Sequence, residues 1–419
     1  MWNYIYDKYE RSKKYVRALL KWLVCSVITG VVSGIVGLSF YYAVEKATIF
    51  QSKYPWLLYL LPLAGAIIVF SYHACGIRNP KGTDLVIESI RSSEKAPIVM
   101  APLIFVGTVL THLCGGSAGR EGAALQIGGS IGAFIGKRLH LNEKDRNVII
   151  MCGMSAVFSA LFGTPLTATI FSMEVISVGI IYYAAFLPCI ISSTIAYAIA
   201  RSAGFYGEKY SIPEVDVMSP NLIIRVAILA ALCAVVSTLF IVCMHKTTKL
   251  YKNKIENQYI RIITGGLLII LVTTIVGTRD YNGAGMNIIG QAFQGQVNLE
   301  SFLLKIIFTA VTLGAGYKGG EIVPSFFIGA TFGNVIGNIL NINSGFGAAI
   351  GLVSVFCGVV NCPITAIMLS IELFGSDNIL LFAVACAISY VLSGYYSLYH
   401  SQKIVYSKLR PEYIDVHAK

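Results

Sequence analysis

Long uncharged runs dominate the chain, and their lengths set the first expectation. Trp22 to Val44, Tyr54 to Tyr72, Asn147 to Met173, Val175 to Ala200, Val226 to Met244 and Ile379 to His400 each approach or exceed the roughly 20 residues that carry a helix across a bilayer. Ile322 to Ile371 contains no Asp, Glu, Lys or Arg, which leaves room for two or more further helices. Segments of alternating period are missing, which argues against a barrel. The pattern predicts an all-α polytopic membrane protein. Several helical segments begin at Gly or Pro and are too short to span. Broken helices of that kind need protein or an aqueous cavity around their freed backbone groups. Lys249 to Arg261 and Arg279 to Glu300 interrupt the apolar pattern and predict loops, the second with Asn282-Gly-Ala-Gly turn chemistry. The charged stretch Arg201 to Asp216, followed by Met218-Ser-Pro-Asn221, is the expected join between two halves.

Composition strengthens this picture. The 419 residues are 56% hydrophobic and only 13% charged, against roughly a quarter charged in soluble domains. The net charge of +11 collects at the ends and in connecting segments, with Lys8, Arg11, Lys13, Lys14, Arg17 and Lys21 before the first span, and Lys403, Lys408 and Arg410 after the last. Positive residues of this kind stay on the cytoplasmic side and face anionic lipid, so both termini are expected there with an even number of crossings. A nucleic-acid partner is not expected. No cleaved leader is expected either, because the first apolar run is too long and lacks a small-residue cleavage site. Ten cysteines are scattered without a CxxC pair and read as small core hydrophobes, with no metal or other cofactor implied.

The halves resemble each other. Pro165-Leu-Thr-Ala-Thr-Ile-Phe-Ser-Met-Glu174 matches Pro363-Ile-Thr-Ala-Ile-Met-Leu-Ser-Ile-Glu372 at proline, Thr-Ala, serine and the closing glutamate. Gly119-Arg-Glu-Gly leading to Gly128 matches Gly320-Glu-Ile-Val-Pro leading to Gly329 at nearly the same offset. Repeats in transporters are often inverted, with substrate held between them near the midplane. The expected domains are a cytoplasmic segment over 1–21, one membrane domain over 22–402 with repeats of about 22–200 and 220–402, and a cytoplasmic tail over 403–419.

The chemistry concentrates where the charges are fewest. Glu121 lies in Gly115-Gly-Ser-Ala-Gly-Arg-Glu-Gly122, and an ionisable group at membrane depth marks an ion or proton pathway by default. A helix beginning near Glu121 would aim free amides and a positive dipole end at an anion. Gly128, Gly129 and Gly132 are explained as well by tight helix packing; an Arg-Glu pair at a helix start is not. Gly319-Gly-Glu-Ile-Val-Pro324 repeats the arrangement, with Pro324 where a helix N-terminus favours it. Two such N-termini converging from opposite repeats make an anion site without a fixed cation.

These segments resemble the CLC family of anion channels and anion/proton antiporters. Gly119-Arg-Glu-Gly122 is similar to the family signature whose glutamate is both gate and proton carrier. Gly319-Gly-Glu-Ile-Val-Pro324 resembles a further signature, and Pro165 to Glu174 the helix that closes the first repeat. The resemblance implies a CLC-type inverted-repeat fold with broken helices meeting at the midplane, and a homodimer. It implies gating and proton transfer at Glu121 and Glu321. Anion binding is implied at Gly119, Arg120, Gly122, Gly320, Ile322, Val323 and Tyr399. Glu321, where chloride-handling members are normally apolar, resembles the fluoride/proton antiporter branch. Val175, where chloride antiporters usually carry a relay glutamate, agrees. Pro80-Lys-Gly-Thr-Asp-Leu85 corresponds loosely to the first signature, so one of Lys81, Gly82 or Thr83 is expected to face the anion, with Lys81 equally readable as an interfacial lysine. CBS regulatory domains are not expected, and the short chain is similar to bacterial members of the plasma membrane.

The implied function is export of fluoride coupled to proton entry. A chloride/proton antiporter or passive chloride channel of the same family is the alternative. An intramembrane enzyme using Glu121 as base lacks a catalytic partner motif, and a nucleotide loop lacks its phosphate-binding lysine. His112 reads as a buried hydrogen-bonded histidine, and Glu174 and Glu372 as structural groups or as part of a cytoplasmic vestibule.

Overall fold

A computed structural model describes residues 2–92, 96–213 and 219–419, with side chains from residue 12 onward. Lys8, Arg11 and part of the expected join, including Asp216 and Met218, therefore lie outside the described side chains or residues. Among the described residues sixteen α-helices succeed one another. In the first half they are α1 (Trp2–Lys53), α2 (Leu61–Ala74), α3 (Thr83–Arg91), α4 (Met100–Leu113), α5 (Glu121–Arg138), α6 (Glu143–Phe162), α7 (Pro165–Glu174) and α8 (Phe186–Ser202). The second half holds α9 (Pro220–Lys254), α10 (Gln258–Val276), α11 (Met286–Phe293), α12 (Ser301–Ala315), α13 (Ile322–Ile339), α14 (Ser344–Val360), α15 (Pro363–Phe374) and α16 (Ile379–Leu392). Seven helical segments among the described residues are long and apolar enough to cross a membrane.

Five expectations about element boundaries are corrected. The run Asn147 to Met173 is two helices, because Gly163 adopts φ 70° and Thr164 leaves the helical region at φ −120°, ψ 76° before Pro165, a geometry that ends one helix and starts another. Val175 to Ala200 is not one span. Ser177–Val178 forms a short strand, β1, and α8 begins only at Phe186. Ile379 to His400 stays helical only to Leu392. The two expected loops also carry helix. α9 runs on to Lys254 and α10 restarts at Gln258, where the Asn257 side chain accepts from the Tyr259 and Ile260 amides at 2.9 and 3.4 Å. α11 fills the middle of Arg279 to Glu300. In both places charge alone does not mark a loop, because charged residues continue a helix once it leaves the apolar layer.

The expected tail is also structured. β2 (Lys403–Tyr406) pairs in parallel with β1 and antiparallel with β3 (Tyr413–His417). One end of the molecule is knitted together by polar contacts. Lys21 pairs with Asp145. The Asn147 side chain donates to the Ile90 carbonyl at 2.7 Å, and Arg91 donates to the Ser401 carbonyl. Ser401 in turn donates from its amide and hydroxyl to Asp84 at 2.9 and 2.7 Å. The base of α1, the start of α6, the end of α3 and the C-terminal sheet thus share one face.

The core is two crossed helix pairs, α5 with α6 and α13 with α14. Glycines set their spacing. A Cβ on Gly128 would lie 2.2 Å from the Gly153 carbonyl oxygen, and one on Gly333 2.2 Å from that of Gly347. Backbones approach this closely only where no side chain intervenes.

Candidate functional site

The two halves meet at a backbone bridge between Gly119 and Gly320, each amide donating to the other's carbonyl at 2.7 Å. Just past it, the backbone enters α5 at Glu121 on one side and α13 at Ile322 on the other. Glu121 is fully buried. Its Oε2 accepts from the Arg120 amide at 2.9 Å and from the Val323 amide at 3.3 Å. One carboxylate therefore occupies the N-terminal ends of both helices, where free amides and helix dipoles favour negative charge. Oε1 has no hydrogen-bond partner and lies 3.6 Å from Arg120 Nε.

A second carboxylate stands beside the first. Where Gly122 lacks a Cβ, Glu321 Oε2, Thr83 Oγ1 and the Gly320 Cα lie 3.1, 3.2 and 3.0 Å from the missing atom. Gln126 Nε2 donates to the Gly122 carbonyl at 3.2 Å and to Thr83 Oγ1 at 3.4 Å. Glu321 Oε2, Gln126 Oε1 and the Tyr399 hydroxyl are all buried without a hydrogen-bond partner. Such groups are costly unless something else meets them. Glu321, Thr83 and Gln126 line a cavity of about 750 Å³, and Lys81 and Asp84 line it too. Glu121 does not line it and sits deeper.

The predicted residues separate into two groups. Glu121, Glu321, Gly119, Gly122, Gly320, Ile322 and Val323 converge at the bridge, and Tyr399 is buried where the charges of Glu321, Asp84 and Glu121 act on it. Of Lys81, Gly82 and Thr83, only the Thr83 side chain reaches Gly122. Gly82 faces open space with φ 65°, and the half-exposed Lys81 ammonium pairs with Glu88 at 2.7 Å on the cavity rim. Arg120 offers the junction both its amide and its guanidinium, whose Nε is 3.6 Å from Glu121 Oε1. The guanidinium stacks over the Tyr41 ring at 4.7 Å and approaches Glu208 at 3.6 Å. His112 is buried, with Nδ1 2.9 Å from the Thr108 carbonyl oxygen.

Glu174 and Glu372 are helix caps. Glu174 accepts from the Ile364 and Thr365 amides and the Thr365 hydroxyl at 3.2, 2.8 and 2.6 Å. Glu372 accepts from the Leu166 and Thr167 amides at 3.0 and 2.8 Å. Each glutamate stands in the last turn of its own helix and caps the matching helix of the other half.

Sequence reasoning missed three groups here. Gln126 carried a signal, being the one polar side chain a helical turn after Gly122. Glu208, in the charged connector, gave none. Lys305 is completely buried in an apolar run, donating to the Tyr281 and Gly283 carbonyls at 3.1 and 2.7 Å.

Fold and site together define a polytopic membrane protein of two inverted halves whose broken helices meet around buried carboxylates. The family model described as "Voltage gated chloride channel" matches residues 64–394. A chloride/fluoride channel protein of Pseudomonas syringae pv. tomato is 35% identical over 93% of this chain and 88% of its own length. An H(+)/Cl(-) exchange transporter of Vibrio cholerae is 26% identical over 86% of this chain and 83% of its own. Among solved structures, a CLC-type fluoride/proton antiporter superposes with a TM-score of 0.88 at 30% identity, covering 92% of this chain and 98% of that one. A slow cyanobacterial Cl-/H+ antiporter shares the fold at TM-score 0.74 and 20% identity, covering 89% and 94%. The chain belongs to the CLC family.

Proposed function

We propose that this protein exchanges fluoride for protons across the plasma membrane. The observation that carries this reading is the bridging position of Glu121, whose one carboxylate oxygen takes amides at both helix N-termini. An ionised Glu121 occupies the place an anion would take. Protonation removes its charge and weakens its hold on those amides, so arrival of a proton and entry of an anion are linked. Proton influx then drives fluoride out.

Fluoride is small and strongly hydrated, so its site must replace water with donors. The Val323 amide, once released by Glu121, supplies one. Thr83 and a protonated Glu321 supply hydroxyl donors around the gap at Gly122, and the buried, unpartnered Tyr399 hydroxyl supplies a third. Two carboxyl groups this close do not both stay charged without cost, which makes Glu321 a natural second proton site. Glu321 and the relative and solved structure that handle fluoride support fluoride over chloride as the anion.

The reading also places both termini in the cytoplasm, with the 750 Å³ cavity as the inner vestibule. The working unit is a homodimer in the lipid bilayer, with one path per subunit. It is a transporter and not an enzyme. Purified protein in proteoliposomes tests the proposal. A pH gradient should drive fluoride uptake against its own gradient, with chloride moved far more slowly. Fluoride flux indifferent to the proton gradient would identify a channel, and equal or faster chloride movement a chloride carrier.

A further inference from the structure

Three cations gather on one wall of the vestibule with no carboxylate to meet them. Lys318, Arg261 and Lys252 all line the cavity, and the charges of Arg261 and Lys252 act on Lys318. None of the ion pairs formed by the described residues includes any of the three. The other carboxylates of the cavity are engaged or placed apart. Glu88 holds Lys81, Asp84 holds Ser401, Glu321 lies at the inner end, and Glu256 pairs with none of the three.

The wall also carries unmet donors. Arg261 Nε and the Tyr72 hydroxyl are buried with no acceptor, and Tyr72 is only 3% exposed. Lys318 is held in place. Its ammonium lies 4.6 Å above the Tyr72 ring and its amide donates to Thr111 Oγ1 at 3.3 Å. Its stem passes where Gly107 has no side chain, for a Cβ there would be 2.8 Å from Lys318 Cγ. Like charges packed on a half-buried wall repel one another strongly. A bound anion relieves that repulsion and satisfies the idle donors.

The donor set indicates which anion. A guanidinium, two ammonium groups and a phenol match the several oxygens of phosphoryl groups. They line a space far larger than a halide needs. We propose that this wall binds a soluble compound carrying two or more phosphoryl charges, and that its occupation obstructs the inner approach to Glu321. The binding site stands independently of the transport reading; the obstruction rests on it.

Calorimetric titration of inorganic pyrophosphate into the full-length protein in neutral detergent at low salt tests the site. Saturable binding is expected, weakened at least about tenfold by Arg261→Gln or Lys318→Gln and by raised salt. Tyr72→Phe keeps the ring and its packing, and should weaken binding a few-fold even if the charge variants prove misfolded on size exclusion. Absence of binding, or equal binding by all variants, overturns the site. In vesicles of neutral lipid, pyrophosphate on both sides should slow fluoride efflux by the wild type and not by Lys318→Gln. Binding without slowing overturns the obstruction. Slowing by anionic lipid in place of pyrophosphate overturns the soluble ligand in favour of a headgroup. Pyrophosphate binding by a protein that moves no fluoride would sink the transport reading and leave the site intact.

Discussion

Gly119 and Gly320 exchange two backbone hydrogen bonds of 2.7 Å across the boundary between the halves. The bridge fixes the separation of the α5 and α13 N-termini, and hence the gap that a single carboxylate spans. There is no slack in it. A Cβ on Gly320 would lie 2.4 Å from the Gly122 amide nitrogen, so backbone must move to admit even a methyl group. Gly320→Ala is expected to reduce anion transport at least about tenfold, equivalent to roughly 1.4 kcal/mol on the limiting barrier. Efflux from proteoliposomes, alongside a size-exclusion profile to confirm the fold, checks it. Wild-type rates would show that the helix ends tolerate displacement.

Glu121→Gln keeps the side-chain volume and one acceptor oxygen for the Val323 and Arg120 amides, but it cannot carry a proton. Fluoride movement should become indifferent to the pH gradient. The measurement is gradient-driven fluoride uptake with a fluoride electrode; uptake against a fluoride gradient by this variant would remove Glu121 from the proton route.

Glu321→Gln replaces a group that can lose or hold a proton with one that is permanently neutral. Its Oε2 lies beside the gap at Gly122 with no protein partner, so the substitution changes the transport path and little of the packing. Fluoride flux should fall at least about tenfold, equivalent to about 1.4 kcal/mol, with thermal stability close to wild type. A variant that transports normally would dissociate Glu321 from the cycle.

Much of this arrangement was legible in the sequence, for identifiable reasons. Charge is so scarce in the apolar runs that Glu121 and Glu321 stand out, and the glycines before each announce a helix start. Tertiary contact was not legible. Nothing local says that the Arg120 guanidinium lies among Glu121, Glu208 and the Tyr41 ring, or that Thr83, not Lys81, turns inward. Lys252 and Arg261 flank the α9–α10 connection while Lys318 is far along the chain, so the three become a cluster only when that connection folds against the loop before α13. The over-long spans failed for a simpler reason. Hydropathy reads burial, and a buried break such as Gly163-Thr164 is as apolar as the helices it separates.

The matched glutamates yield the last prediction, because geometry assigns them to stability and not to transport. Glu174 is 6% exposed and accepts three hydrogen bonds from the start of α15. The less buried Glu372 accepts two from the start of α7. Removing a buried acceptor strands its donors, at a cost of about 1–3 kcal/mol, and loss of a helix cap alone costs about 1 kcal/mol. Glu174→Ala should therefore lower the thermal unfolding midpoint more than Glu372→Ala. Glu174→Gln, which keeps an acceptor oxygen, should lie between Glu174→Ala and wild type. Proton-to-fluoride coupling should be unchanged in whatever fraction of each variant remains folded. Thermal melts in detergent, followed by flux normalised to folded protein, separate the two roles. Altered coupling in a stable Glu174→Gln variant would move that glutamate from the scaffold to the proton route.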